Sequence, residues 1–432
     1  MDGYYAWMLV ATAFVLMMTT PALALFYGGM TRSKSVLNMM MMSYVSMAVV
    51  GLVFVLWGWS EAGFNNGFNN GKLISNPFHM FGLLNNDWHA SADSTGSTFI
   101  WIAFQMTFAV ITAALISGAI ADRVKLSAWI TFIVVWVTLC YFPVAHNVWG
   151  GGWLSQHWAA QDYAGGTVVH INAGIAGLVL ALVVGRRVGF QRDPMKPHNL
   201  TLTMIGAGLL WMGWYGFNVG SIVIADPKDG GAQFMSDTGL TFLNTTVATM
   251  AAMLGWLAVE RLIHGKATSL GAASGIVAGL VAITPACGAV NQLGAICIGA
   301  IAGGLCAVAV GLKFKFGFDD SLDVVGVHLV GGLVGTVLIG LFSTHTAPGG
   351  VDGLFYGGGW QSLKVQVLAV LFTLIWTGVL TTVIALAIKH TIGWRIPPEA
   401  EVEGIDYDQH GESAYDLHAA SASSAYLVTE GA

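Results

Sequence analysis

Eleven apolar stretches follow one another along the chain, beginning near Tyr4, Asn38, Thr98, Ser127, Thr167, Thr201, Thr241, Gly271, Gln292, Asp323 and Lys364, with short polar loops between them. Crossing a hydrocarbon core about 30 Å thick takes roughly 20 apolar residues in a helix, and the stretches are of that length. The pattern predicts an all-α integral membrane protein with eleven transmembrane helices. Composition agrees: 55% of the 432 residues are hydrophobic and 9% are charged. Soluble domains carry roughly 25% charged residues, so that class is excluded.

Charge orients the spans. With alternate loops assigned to one side, 14 of the 17 lysines and arginines fall together, and only Lys72, Lys228 and Lys364 fall opposite. The positive-inside rule then puts the N-terminus outside and the C-terminal tail in the cytoplasm of a multi-pass protein of the cell membrane. A secretory signal is the competing reading of the first stretch, because Ala22-Leu23-Ala24 resembles a cleavage site; the acidic Met1-Asp2 start and the length of the run argue against it. The four cysteines lie in or beside apolar segments without metal spacing and read as packing residues.

Five spans precede Thr201 and five more end near Ser343, so the two halves lie in opposite orientations. This is a 5+5 inverted repeat plus a final helix. The expected organisation is a membrane domain over 1–390, with a first repeat at about 1–200, a second at about 201–345 and a last helix at about 363–390. A cytoplasmic regulatory tail occupies 391–432.

The repeat carries a motif. Asp162 and His170, then Asp320 and His328, share one spacing, Asp followed eight residues on by His, with Gly at His+4 and His+7. Eight residues at about 1.5 Å each set the histidine roughly 12 Å inside, close to the midplane. Gly174, Gly177, Gly332 and Gly335 share a helical face with their histidine and permit close approach of a partner backbone. Asp162 and Asp320 read as structural helix caps, a role compatible with a site one helix turn and more beyond. Satisfied packing is the plain alternative for the histidines, but ionisable groups inside a membrane are rare and usually functional.

No Asp, Glu, Lys or Arg is expected at that depth, so a carboxylate relay and an intramembrane hydrolase lack their groups. Two imidazoles fall short of the three or four ligands of a zinc site, and no metal or other cofactor is expected. An imidazole pair can still share and pass a proton. An amine substrate suits such a path. Moving an ion through hydrocarbon costs from about 3 to more than about 10 kcal/mol. Deprotonating an amine of pKa about 8 to 10 at pH 7 costs about 1 to 4 kcal/mol. Potassium has no such option. At the outer end of span four, Trp149 lies before three glycines, and an indole face attracts a cation by about 0.5 to 2 kcal/mol. An interfacial belt is its plain alternative. Aromatic packing could likewise explain Phe104 to Phe108 and the run Gly213 to Ser221.

These residues resemble the Amt branch of the Amt/Mep/Rh ammonium transporter family across nearly the whole chain. The resemblance rests on Phe26-Tyr27-Gly28-Gly29, Phe104 with Phe108, His146 through Gly152, Asp162 through His170, Pro197-His198-Asn199, Gly216-Phe217-Asn218, Thr284 through Gly288 and Gly326-Val327-His328, in that order. The tail from Gly393 to Pro397, then Gly404 and His410-Gly411-Glu412, is similar as well. The resemblance implies a non-enzymatic ammonium transporter or channel in which Trp149, Ser221 and Phe108 recruit ammonium outside. It implies that Phe108 and Phe217 gate a hydrophobic ammonia pore, and that His170 and His328 form a twin-histidine pair able to relay the proton. It implies that Asp162 shapes the outer site without binding the ion, that the protein is a homotrimer with one pore per subunit, and that a PII-type signal protein docks on the cytoplasmic face. The alternative is an ammonium sensor whose output passes through the tail and a PII partner. The tail is acidic and the inner loops basic, so opposite charges would hold it close. Residues 416–432 extend past the similar part, and nothing in the pattern assigns them a role.

Overall fold

The computed structural model describes residues 2–64, 71–84, 95–193, 195–224 and 230–415; Lys228 and the extension 416–432 lie outside them. Among the described residues, ten helices are long and apolar enough to span a membrane. In chain order, with the shorter one counted as α8, they are α1 (Gly3–Met30), α2 (Val36–Ala62), α3 (Thr98–Ile120), α4 (Leu126–His157), α5 (Gly166–Val184), α6 (Leu200–Val219), α7 (Gly230–His264), α8 (Ser269–Ile283), α9 (Gln292–Phe316), α10 (Val325–Phe342) and α11 (Gln361–His390). The all-α membrane architecture is as expected.

Two elements depart from the apolar pattern. Helix α7 starts at Gly230, well before the apolar run at Thr241, and its 35 residues span about 52 Å, more than a hydrocarbon core. Its polar first turns are therefore helical although not lipid-like; there Gln233 donates to a buried Asp237 carboxylate at 3.3 Å. Helix α8 has only 15 residues, capped at its start by the Thr268 hydroxyl, and non-helical backbone at 284–288 completes its path. That stretch is buried throughout, the condition under which irregular backbone is tolerated at membrane depth.

Helices α5 and α10 meet through their glycines. A Cβ on Gly174 would come within 2.6 Å of Leu329, and one on Gly332 within 3.2 Å of both Ile171 and the His170 Cβ. Counted from each histidine, position +4 of one helix touches +1 of the other, and the reverse. Two antiparallel helices related by a pseudo-two-fold axis contact in that way.

One face of the molecule is tied by a buried guanidinium. Arg123 is fully buried and donates to the carbonyls of Ala119 and Ala121 at 3.1 Å, of Gly185 at 3.0 Å and of Asp319 at 2.6 Å, and to the Ser321 hydroxyl at 2.6 Å. Arg187 pairs with the Asp319 carboxylate at 3.1 Å. This basic face also holds the tail, whose short helices are α12 (Pro398–Glu403) and α13 (Ile405–His410). The Lys125 amide donates to the Trp394 carbonyl at 2.9 Å, and the Arg395 guanidinium to the Arg186 carbonyl at 2.7 Å. The Glu401 carboxylate accepts from the Val188 amide at 2.5 Å, and the Asp406 carboxylate caps α2 by accepting from the Leu37 and Asn38 amides at 3.0 and 2.7 Å. Ile396, Ala400 and Ile405 form a small apolar cluster beneath. Charge attraction to the loops is not how the tail is held: among the described residues its ion pair is internal, Arg395 with Glu401 at 2.5 Å. Backbone amides at helix starts and loops recruit its carboxylates instead.

Candidate functional site

Each histidine helix opens with a carboxylate cap. The Asp162 side chain accepts from the amides of Gly165 at 2.8 Å, Gly166 at 2.6 Å, Thr167 at 2.8 Å and Val168 at 3.3 Å, and from the Thr167 hydroxyl. Gly165 sits at a φ of 120°, a conformation that favours glycine and lets the chain turn into those bonds. Asp320 accepts from the amides of Val324 at 3.0 Å and Val325 at 2.8 Å. Burial pushes the Asp162 carboxyl above the usual range, against hydrogen bonds from Thr167, Gly166 and Gly165 that favour its ionised form. Burial likewise pushes Asp320 up to about 6, with nearby Lys313 pulling the other way.

Both histidines fall in widened turns of π-helical geometry, Gly166–Ile171 and Val325–Leu329, of the kind often found at functional sites. The His170 amide, for example, bonds the Gly165 carbonyl five residues back at 3.1 Å. The two rings meet with Nδ1 to Nδ1 at 3.4 Å and centroids 5.4 Å apart. They reach one another from opposite faces of the molecule.

A series of rings leads to them. Trp149 stands edge to face with Phe108 at 5.9 Å, and Phe108 stacks on Phe217 with centroids 4.1 Å apart and planes 17° from parallel. Phe217 lies 6.1 Å from the His170 ring. The Trp149 indole donates to the Asp162 carbonyl at 2.8 Å, which fixes its plane. Ser221 follows α6 four residues beyond Phe217, towards the Trp149 end, and its hydroxyl donates to the Phe217 carbonyl at 2.8 Å. Phe108, Phe217, His170 and His328 are buried, while Trp149 and Ser221 are partly open.

Beyond the phenylalanine pair lies a narrow apolar lumen lined by Ile111, Leu115, Val169, Leu210, Trp214 and both histidines. It leaves about 10 Å³ for a water-sized centre, near the threshold for one small molecule. A second pocket of about 10 Å³ runs from His328 to Asp323, past Ser274 and Tyr27. Asp323 also borders a vestibule of about 810 Å³ on the basic face, where Lys313 pairs with it at 2.6 Å. Among the described residues no charged side chain lines the lumen itself. Among the described residues no cluster of three or more His, Cys, Asp or Glu could hold a metal.

The expected site residues thus fall into two sets. Trp149, Phe108, Phe217, His170 and His328 form one line, to which Ser221 is joined through the Phe217 carbonyl, whereas Asp162 and Asp320 sit behind it as caps. Trp214 was legible only as aromatic packing; it stacks on His170 at 5.5 Å and 22° and is held by its indole donating to the Thr284 hydroxyl at 2.8 Å. The aliphatic lining comes from several helices, with Ile111 and Leu115 of α3 one turn apart, and so short a repeat does not stand out in a helix that is apolar throughout.

The Ammonium Transporter Family profile matches residues 6–415. An ammonium transporter of Mycobacterium tuberculosis is 52% identical over 450 residues, covering 98% of this chain and 92% of its own length. An ammonium transporter of Aquifex aeolicus is 48% identical over 416 residues, covering 96% and 94%. The crystal structure of Candida albicans Mep2 superposes with a TM-score of 0.82 at 29% identity, covering 96% of this chain and 93% of that one.

Proposed function

The chain belongs to the ammonium transporter family and is a multi-pass ammonium transporter of the cell membrane, and we propose that it takes ammonium at Trp149, strips its proton and conducts ammonia past the phenylalanine pair. The cation rests on the indole face, with the Ser221 hydroxyl and the Phe108 edge beside it. Neutral ammonia then passes between Phe108 and Phe217 into the lumen. His170 and His328 share one proton between their facing Nδ1 atoms; the proton that ammonium gives up enters at His170 Nε2, the shared proton moves on to His328, and His328 Nε2 releases one on the far side, separately from ammonia. Asp162 and Asp320 hold the helix starts and do not touch the cargo.

The observation that carries this reading is the unbroken line of rings from Trp149 to His328, which opens on an apolar lumen without a charged side chain. An ion would lose its hydration there without replacement, whereas ammonia needs only hydrogen-bond partners, and the imidazoles supply them. By the positive-inside rule the basic face is cytoplasmic, so uptake runs from Trp149 to the vestibule at Asp323. As the resemblance implies, the working unit is a homotrimer, and a PII-type protein closes the vestibule from the cytoplasm. Flux of ammonium into proteoliposomes with parallel current recording tests the scheme. Uptake with potassium excluded supports it, and potassium passing at a comparable rate sinks it.

A sensor role for the same protein draws on the tail, tied by hydrogen bonds to the starts of α2 and α4 and to the loop at Val188. A protein of that kind binds ammonium with little flux, and the same assay separates the two readings.

A further inference from the structure

We propose that Gln366, on the last helix and outside both halves of the repeat, is a positioning residue for the cation site at Trp149. The inference rests on the reading of Trp149 given above. Gln366 is 1% exposed, and its carboxamide faces the main chain of Gln161 as a neighbouring strand would. The Gln161 amide donates to Gln366 Oε1 at 2.8 Å, and Nε2 donates back to the Gln161 carbonyl at 2.8 Å. Nε2 also donates to the Thr336 carbonyl on α10, at 3.2 Å. Both amide hydrogens are thereby used.

Gln161 lies within an irregular segment, 158–165, that must find its backbone partners outside any helix. Its own side chain donates to the Gly349 carbonyl at 2.7 Å and accepts from the Ser343 hydroxyl at 3.1 Å. Two residues on, the Tyr163 amide donates to the Pro285 carbonyl at 3.1 Å. Between these anchors lies Asp162, whose carbonyl receives the Trp149 indole. An indole has a single polar atom, so that bond sets the rotation of the ring. Attraction of a cation depends on the ring face it meets, and a shift of residue 161 therefore reaches the cation through one hydrogen bond. Gln366 reads as an unremarkable amide in an apolar helix, yet among the described residues its side chain pairs with both backbone groups of Gln161.

The test is the concentration dependence of ammonium flux in proteoliposomes for Gln366→Leu, Trp149→Leu and the double variant. Gln366→Leu is expected to raise the half-saturation concentration about threefold to tenfold, a part of what a lost cation–ring contact removes, with maximal flux within about twofold. In the Trp149→Leu background the same change is expected to have no further effect, because its route to the cation is gone. Multiplied shifts in the double variant, or an unshifted Gln366→Leu beside a shifted Trp149→Leu, overturn the inference and leave the cation site standing. An unshifted Trp149→Leu overturns the cation site, and the inference with it. Should Gln366→Leu fail to assemble, Gln366→Asn decides. It keeps an amide donor and acceptor but is one methylene too short to meet both backbone groups of Gln161, so the half-saturation concentration should again rise with maximal flux near that of the parent. An unshifted Gln366→Asn beside a shifted Trp149→Leu overturns the proposal.

Discussion

Nδ1 of His170 lies 3.4 Å from Nδ1 of His328, although the two residues are 158 positions apart and arrive on helices that start from opposite faces. Two nitrogens that face each other so closely cannot both carry a proton without repulsion, so one donates and the other accepts. The pair then has a defined polarity along the lumen, and exchanging tautomers reverses it. Among the described residues His170 Nε2 has no hydrogen-bond partner, and on the proposed mechanism it is the nitrogen that meets the cargo.

His170→Ala is therefore expected to lower ammonium flux by about a hundredfold or more, the low side of what a proton-transferring group contributes. Alternatively the widened lumen passes the ion, and potassium leaks. Flux and current recorded on the same proteoliposomes distinguish the two. Normal flux with potassium still rejected in both single alanine variants would reduce the pair to packing.

Phe108 and Phe217 stack with centroids 4.1 Å apart, and on the gate role proposed for them removing one ring should act on passage and not on capture. Phe217→Ala is expected to change maximal flux and to admit methylammonium more readily, with half-saturation within about twofold of the parent because the Trp149 face is untouched. Large-to-small changes of a phenylalanine in closed cores cost about 3 to 5 kcal/mol, and because Phe217 is buried beside a lumen of only about 10 Å³ a loss near the lower end of that range is expected. Thermal unfolding in detergent measures the second part. Unaltered flux and selectivity would mean that the gate lies elsewhere.

The sequence shows the architecture clearly where physics leaves one choice. A hydrocarbon solvent demands long apolar helices, and midplane histidines stand out against it, so the spans and the facing of His170 and His328 were legible. The glycines at His+4 were legible too, since only a close helix crossing needs them. Gln366 was not, because a lone amide in an apolar run says nothing of the backbone it pairs with. Trp214 was hidden for the reverse reason, aromatic residues being common in such helices. The tail shows where charge counting fails: Glu401 and Asp406 bind backbone amides that no composition reveals.

Asp162 satisfies four amides and a hydroxyl with one carboxylate. Leaving buried donors unpaired costs about 1 to 3 kcal/mol each, so Asp162→Ala should lose several kcal/mol and assemble poorly. Asp162→Asn keeps one acceptor oxygen but turns an NH₂ towards amide donors, and it should be intermediate. Circular-dichroism melting in detergent gives the order. An Asn variant as poor as Ala would point to a need for the charge itself, for instance in attracting the cation. Burial raises the Asp162 pKa in the folded protein, so the folded state holds that proton more tightly than the unfolded one. Its contribution is then most favourable below the ordinary carboxylate pKa and declines as pH rises to the raised value.

The tail is held by a few specific bonds, which makes it removable without breaking the membrane core. Asp406 caps the start of α2, and His410 bonds the Asn38 side-chain oxygen at 3.1 Å beside it. Replacing a capping carboxylate with alanine costs about 0.5 to 2 kcal/mol, so Asp406→Ala should loosen α12 and α13 while the spans remain folded. Faster trypsin cleavage at Arg395 in the folded, detergent-solubilised protein would report that loosening. Truncation after Thr391 goes further. It removes the Trp394 carbonyl that receives the Lys125 amide and the Arg395 guanidinium that donates to Arg186, leaving the α4 start and the loop after α5 with unpaired groups. Both border the basic face, where the vestibule opens and where a PII-type protein would dock. Truncation is therefore expected to lower flux and to abolish inhibition by such a protein, while Asp406→Ala weakens that inhibition partially. The decisive measurement is flux with and without an added PII-type protein on the basic side. If the truncated transporter runs at the parent rate and is still blocked, the tail has no part in the regulation, and its contacts with α2 and α4 are only structural.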